Sequence, residues 1–121
     1  MIAHVVLFEP KKDSSPDDLV ALLDALGVAC REISGVQRAQ VGKTVRLGVG
    51  YENVIGGSTY SYVAVMEFDD KSNLLSYLNH PLHEKLGQLF WKVCESTMIA
   101  DVEMQDASSA NVASLSSGKA S

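Results

Sequence analysis

The chain has 121 residues, of which 46% are hydrophobic and 21% are charged, a balance that predicts one globular domain and excludes a disordered chain. Its net charge of -5 argues against binding to nucleic acid or to an anionic membrane, and no apolar run approaches the roughly 20 residues of a membrane helix. Cys30 and Cys94 fall in helical patterns as small apolar residues, and no signal-peptide pattern is present. We therefore expect free thiols and a cytoplasmic location.

The first predicted element is a strand from Ile2 to Phe8, an apolar and β-branched run that Pro10 closes because proline has no donor for a sheet. Side chains alternate across a strand, so His4 shares a face with large apolar residues and points into an enclosed space. A histidine in such a place needs a polar partner.

A helix is predicted next, with Ser15 as its N-cap and Pro16 at its first position. Gly35 suits the left-handed residue that ends such a helix. The helix has one apolar stripe, made of Leu19, Leu22, Leu23, Leu26, Ala29, Cys30 and Ile33.

Two strands are predicted to follow, over 36–45 and from Tyr60 to Phe68. The segment between them, 42–59, holds five of the nine glycines and is the natural candidate for a mobile lid. Tyr60 and Tyr62 share one face of the second strand, and we expect them to line a pocket.

A second helix is predicted from Asp70, with a break at His80-Pro81, because proline disfavours helical geometry in the residue before it. Helical spacing resumes to about Cys94, and we expect Trp91, near the end of this stretch, to lie in the core.

The last strand is predicted over 97–104, and the tail, 105–121, is expected to be disordered because it lacks periodicity. The order strand, helix, strand, strand, helix, strand is that of an α+β, ferredoxin-like βαββαβ fold, here in a domain of residues 1–104. Two helices would cover one face of an antiparallel sheet. The other face is too apolar to stay in water, so the sequence predicts a homodimer through the sheet faces, a dimeric α/β barrel.

The chemistry-bearing residues are concentrated in two places. All three histidines fall in two short stretches, with His4 on the first strand and His80 and His83 around Pro81. Histidine exchanges protons near neutral pH, so two distant histidine sites in one small domain suggest a shared pocket. A metal site is not predicted, because His80 and His83 lack the spacing of four residues that brings two imidazoles to one ion on a helix.

Over residues 1–104 the sequence resembles the stress-responsive A/B barrel family of dimeric α+β barrel proteins. The motifs that carry this resemblance are the segments 2–8, 33–36, 65–70 and 77–83. The resemblance implies a compact homodimer, and family membership fixes fold better than function.

Within that family the sequence is similar to a plant polyketide cyclase. This similarity implies a cofactor-independent, acid-base reaction on a small carbonyl or phenolic compound. Carried over by motif, His83 would remove a proton next to a carbonyl, and His4 or Tyr77 would donate to the developing enolate oxygen. Leu26 stands where the cyclase has a further pocket tyrosine. The remaining ligand contacts are expected from Tyr60, Tyr62, His80 and Phe90.

Structural roles stay open for the same residues. His80 and His83 could bond the backbone freed at Pro81, His4 could be a core histidine bonded to a backbone group, and Tyr77 could merely pack. The alternative function is a stress-associated dimer, either without catalysis or as a ligand-binding protein. A haem-handling role has no further support in the sequence.

Overall fold

A computed structural model describes residues 1–48 and 60–116. In chain order the elements are β1 (Ile2–Pro10), α1 (Pro16–Glu32), β2 (Val36–Lys43), β3 (Tyr62–Phe68), α2 (Lys71–Leu78), α3 (Pro81–Val93), β4 (Cys94–Glu103) and α4 (Val112–Ser116). Within the described ranges the strands form one antiparallel sheet in the order β2-β3-β1-β4. This is the ferredoxin-like α+β fold that the sequence predicts.

The helix boundaries follow local backbone chemistry. At the start of α1, the Ser15 hydroxyl accepts from the Asp18 amide and the Asp18 carboxylate accepts from the Ser15 amide, which forms a complete capping box. Gly35 follows the helix with a φ of 99°, a left-handed conformation that favours glycine. The predicted break at Pro81 separates α2 from α3.

Other boundaries differ from the sequence prediction. β4 begins at Cys94 rather than Thr97, because the end of α3 runs directly into pairing with β1, where the Lys11 amide donates to the Val93 carbonyl at 2.8 Å. The tail carries the short helix α4 where disorder is expected. Of the glycine-rich segment predicted as a lid, residues 49–59 lie outside the described part of the chain.

The core lies between the sheet and the helices. Along β1, His4, Val6 and Phe8 are buried on the side that meets α1, α2 and α3, which we call the helix face of the sheet. The largest buried side chains that meet there are Tyr77, Phe8, Phe68, Leu22, Met66, Leu86 and Val93. Cys30 and Cys94 are free thiols, as predicted.

The opposite side of the sheet, which we call the outer face, is apolar and partly open in the single chain. Strand register places Leu7 beside both Val63 and Met98, and Val5 beside Val65. Met98 is 52% exposed although it belongs to this apolar surface. Within the described ranges no helix has the length and apolar character needed to cross a membrane.

Candidate active site

A cavity of about 360 Å³ opens between the helix face of the sheet and α3. A volume of this size is enough for a small organic ligand. The lining residues are His4, Val6, Leu26, Met66, Tyr77, His83, Leu86, Gly87, Phe90, Trp91, Cys94, Glu95, Ser96, Thr97 and Ile99. Both histidine sites therefore reach one hollow, as the sequence suggests.

Tyr77 is the central polar group of this cavity. Its side chain is fully buried, and its hydroxyl has no hydrogen-bond partner. The ring packs edge-on against His83, with centroids 4.8 Å apart, and against His4 at 6.0 Å. Burial, with a smaller effect from Cys30, raises the pKa of the Tyr77 phenol, which therefore stays protonated and available as a donor at neutral pH.

His83 has the protonation state that a general base needs. Burial lowers its pKa, the neighbouring His4 lowers it further, and a hydrogen bond with the Leu78 backbone opposes both effects. The ring is therefore unprotonated at neutral pH and able to accept a proton.

His4 is 4% exposed and is bonded to a carboxylate, whereas the structural alternative expected a backbone group. Its Nδ1 lies 2.5 Å from Oδ1 of Asp101. Because a carboxylate only accepts, Nδ1 carries the proton, and Nε2 is the remaining ring nitrogen. The Asp101 side chain is 45% exposed, so this pair connects the cavity wall with the surface of β4.

Sequence reasoning missed Asp101. The residue stands opposite His4 in the β1–β4 register, so the two side chains share the helix face. Its polar character among the apolar neighbours Met98, Ile99, Ala100 and Val102 was the available signal. Using that signal would have required the register, which one sequence does not fix.

Some of the other residues expected to contact a ligand line the cavity, and others lie elsewhere in the fold. Phe90 lines the cavity, in edge-on contact with Phe8. Tyr62 instead stacks on Phe8, and the Tyr60 hydroxyl accepts a hydrogen bond from Ser96, so neither tyrosine reaches the cavity wall.

His80 also lies away from the cavity lining. Its Nδ1 accepts from the Leu82 amide at 3.0 Å, which makes it the N-cap of α3. A local cap around Pro81 is the structural role that the sequence left open for His80, although the expected partners were backbone carbonyls and the ring instead bonds an amide.

The expectation that Trp91 lies in the core is wrong. Its side chain is 87% exposed at the rim of the cavity. It occupies the solvent side of α3, whose buried residues are Leu86 and Val93. An exposed indole beside a cavity is a ready contact surface for a ligand.

In the described part of the chain, no three His, Cys, Asp or Glu side chains are grouped in a way that would hold a metal ion.

A sequence model of the stress responsive A/B barrel domain family matches residues 2–104. The chain belongs to this family. Curated protein sequences give no significant match.

Solved structures resemble the stress responsive A/B barrel domain found here. A protein from Arabidopsis thaliana has a TM-score of 0.74 at 19% identity, covering 88% of this chain and 98% of that one. A hydroxynitrile lyase from Passiflora edulis has a TM-score of 0.72 at 15% identity, with coverage of 88% and 94%. A dimeric ferredoxin-like protein of unknown function from Thermobifida fusca has a TM-score of 0.68 at 18% identity, with coverage of 85% and 90%. At such identities these likenesses establish the fold alone.

Proposed function

We propose that this protein binds a small carbonyl or phenolic compound in the cavity and acts on it by acid-base chemistry, as a cyclase, isomerase or lyase without a cofactor. The observation that carries the proposal is the buried, unpartnered hydroxyl of Tyr77, a residue that lines the cavity and whose ring packs against both imidazoles. A buried hydroxyl without a partner costs about 1–3 kcal/mol, which a ligand oxygen would recover.

The neutral His83 is the base in this proposal. It takes a proton from the carbon next to the substrate carbonyl, and the electron pair of the broken C–H bond moves to the carbonyl oxygen as an enolate. The Tyr77 hydroxyl donates a hydrogen bond to that oxygen, and His4, held in place by its bond to Asp101, lines the same cavity. Transfer of the proton from His83 to a different atom of the enolate completes an isomerisation. Alternatively, the enolate carbon attacks a second carbonyl carbon and closes a ring, the C=O π bond breaks, and the resulting alkoxide takes the proton from His83.

The comparison with a lyase supports the general class of activity. One protein with a similar fold is a hydroxynitrile lyase, so a fold of this kind can host an enzyme. This support is general, because function depends on the site rather than on the fold.

A homodimer through the outer faces of two sheets completes the proposal. The outer face carries Val5, Leu7, Val63, Val65 and Met98, and one protein with a similar fold is a dimer. Pairing two such faces would remove this apolar surface from water and leave the cavity, on the opposite side of the sheet, accessible.

The test is a panel of phenols and β-dicarbonyl compounds, screened first by thermal shift and then for turnover. We expect at least one compound to raise the melting temperature of the protein. We also expect turnover to fall by at least about a hundredfold in His83→Gln. His80→Asn is the control, because it alters a histidine outside the cavity. Binding without turnover would favour the ligand-binding alternative, and the absence of any stabilising compound would contradict the proposal.

A further inference from the structure

The charged residues around the cavity restrict the charge of a ligand that it can bind. Among the residues that the structure describes, the lining includes neither lysine nor arginine, and its one carboxylate, Glu95, is exposed. A second carboxylate, Asp101, lies just behind His4. The charged side chain in the lining itself is therefore negative, and Lys11 acts on Cys94 from outside the lining.

The titratable groups inside the cavity supply no compensating positive charge. His83 is neutral because its pKa is lowered, and burial raises the pKa of the Cys94 thiol to about 11. Tyr77 is likewise a neutral phenol. The His4 ring is already paired with the Asp101 carboxylate. An anion that entered this space would lose its hydration without gaining a paired cation.

The nearest arginines lie on the other side of an apolar wall. A second cavity of about 400 Å³, between α1 and β2, is lined by Arg31 and Arg38 and shares only Leu26 and Met66 with the first. Leu26 is buried, so it separates the two spaces. An acidic group on a ligand in the first cavity therefore has no direct path to a guanidinium.

The residues at the mouth of the cavity favour a ligand of a particular shape. Trp91 presents an exposed indole there, and Gly87, one helical turn earlier, leaves open space where a side chain would stand. A flat ligand that extends past the cavity could lie along this surface and cover the indole.

We infer that the site selects a neutral, flat ligand, one polar oxygen of which meets Tyr77 and the two imidazoles. Glu95 excludes carboxylate analogues, and Trp91 holds the outer part of the ligand. The inference rests on the proposed function and narrows its substrate class.

The experiment compares two probes of nearly equal shape, 6-hydroxy-2-naphthamide and 6-hydroxy-2-naphthoate, by isothermal titration calorimetry at pH 7. We expect the amide to bind at least about tenfold more tightly than the carboxylate, because only the carboxylate must be desolvated as an ion. Glu95→Lys should reduce the ratio of amide affinity to carboxylate affinity about fivefold. Glu32→Lys changes the net charge equally at an exposed site outside the cavity and should leave the ratio unchanged.

A second arm tests the indole. Trp91→Ala should weaken amide binding about fivefold, whereas Leu75→Ala, which removes an exposed apolar side chain elsewhere, should not. Equal binding of the two probes, equal effects of the two lysine variants, or amide binding unaffected by Trp91→Ala would overturn the inference while leaving the proposed function intact. If neither probe binds, the proposed function fails and the inference fails with it.

Discussion

An unpaired hydroxyl in a protein interior lowers stability, and Tyr77 is such a case. Its hydroxyl lies within the core without a partner, and its ring packs against His83 and His4. A phenylalanine would fill the same volume without that penalty. The tyrosine therefore costs stability that the proposed ligand contact would offset.

Tyr77→Phe should raise the free energy of unfolding by about 1 kcal/mol, because an unsatisfied buried group is removed. It should also weaken the binding of a phenolic ligand about tenfold. Urea denaturation and calorimetry measure the two effects. Tyr60→Phe is the control, since the Tyr60 hydroxyl has a partner in Ser96 and lies outside the cavity. Stability that falls in Tyr77→Phe would show that the hydroxyl has a partner after all.

His83 gives a pH dependence with a definite sign. Its folded-state pKa is lowered below the ordinary 6.5, so the unfolded chain binds more protons between the two values. This contribution to stability is fully present above the ordinary pKa and is lost as the pH falls toward the lowered native pKa.

We expect the free energy of unfolding to decrease between pH 7.5 and pH 5.5, and to decrease less in His83→Gln. Urea titrations at the two pH values measure the difference. The nearby ionisable groups His4 and Tyr77 are present in both proteins, so the comparison isolates His83. An equal loss of stability in both proteins would contradict the lowered pKa.

At the scale of elements, one Pro81 break gives two nearby histidines different surroundings. His80 is the residue before the proline and caps α3 with its ring, whereas His83 lies in the first turn of α3 and reaches the cavity. The position of the helix start therefore decides which imidazole caps α3 and which lines the cavity.

His80→Asn should keep the unfolding free energy within about 0.5 kcal/mol of wild type, because asparagine is also a good N-cap, whereas His80→Ala should lose about 1 kcal/mol. Ligand affinity should be unchanged in both variants. Thermal unfolding and a binding titration check these outcomes. A tenfold loss of ligand affinity in His80→Asn would show that His80 contributes to ligand binding.

The same elements show how far sequence reasoning reaches. Capping signals, alternation and the proline break predicted the order of strands and helices, and the face occupied by His4, because each depends on neighbouring residues. Asp101 and the exposure of Trp91 depend on strand register and on helix rotation, which distant contacts set. For the same reason Tyr60 and Tyr62, although on the expected face, lie away from the cavity.

At the scale of the whole molecule, the sheet separates two surfaces with different proposed roles. The helix face holds the cavity, and the outer face carries the apolar surface proposed for dimerisation. A change on the outer face should therefore alter assembly before it alters ligand contacts.

Met98→Asp should convert the dimer to a monomer, because a carboxylate buried between two apolar sheets would cost several kcal/mol. Light scattering after size-exclusion chromatography would then give 13.0 kDa for the variant and twice that for the wild type. Val28→Asp, an exposed change on α1, should remain dimeric. A monomeric wild type, or a dimeric Met98→Asp, would contradict the proposed interface.

The central claim, that a ligand oxygen is held between Tyr77 and the two cavity imidazoles, can be tested directly by NMR. The three histidine rings can be followed separately during titration with 6-hydroxy-2-naphthamide. We predict saturable shifts of the ring nitrogens of His4 and His83 with one dissociation constant, and an unchanged His80. Shifts confined to His80, or none at any ring while calorimetry reports binding, would contradict the account.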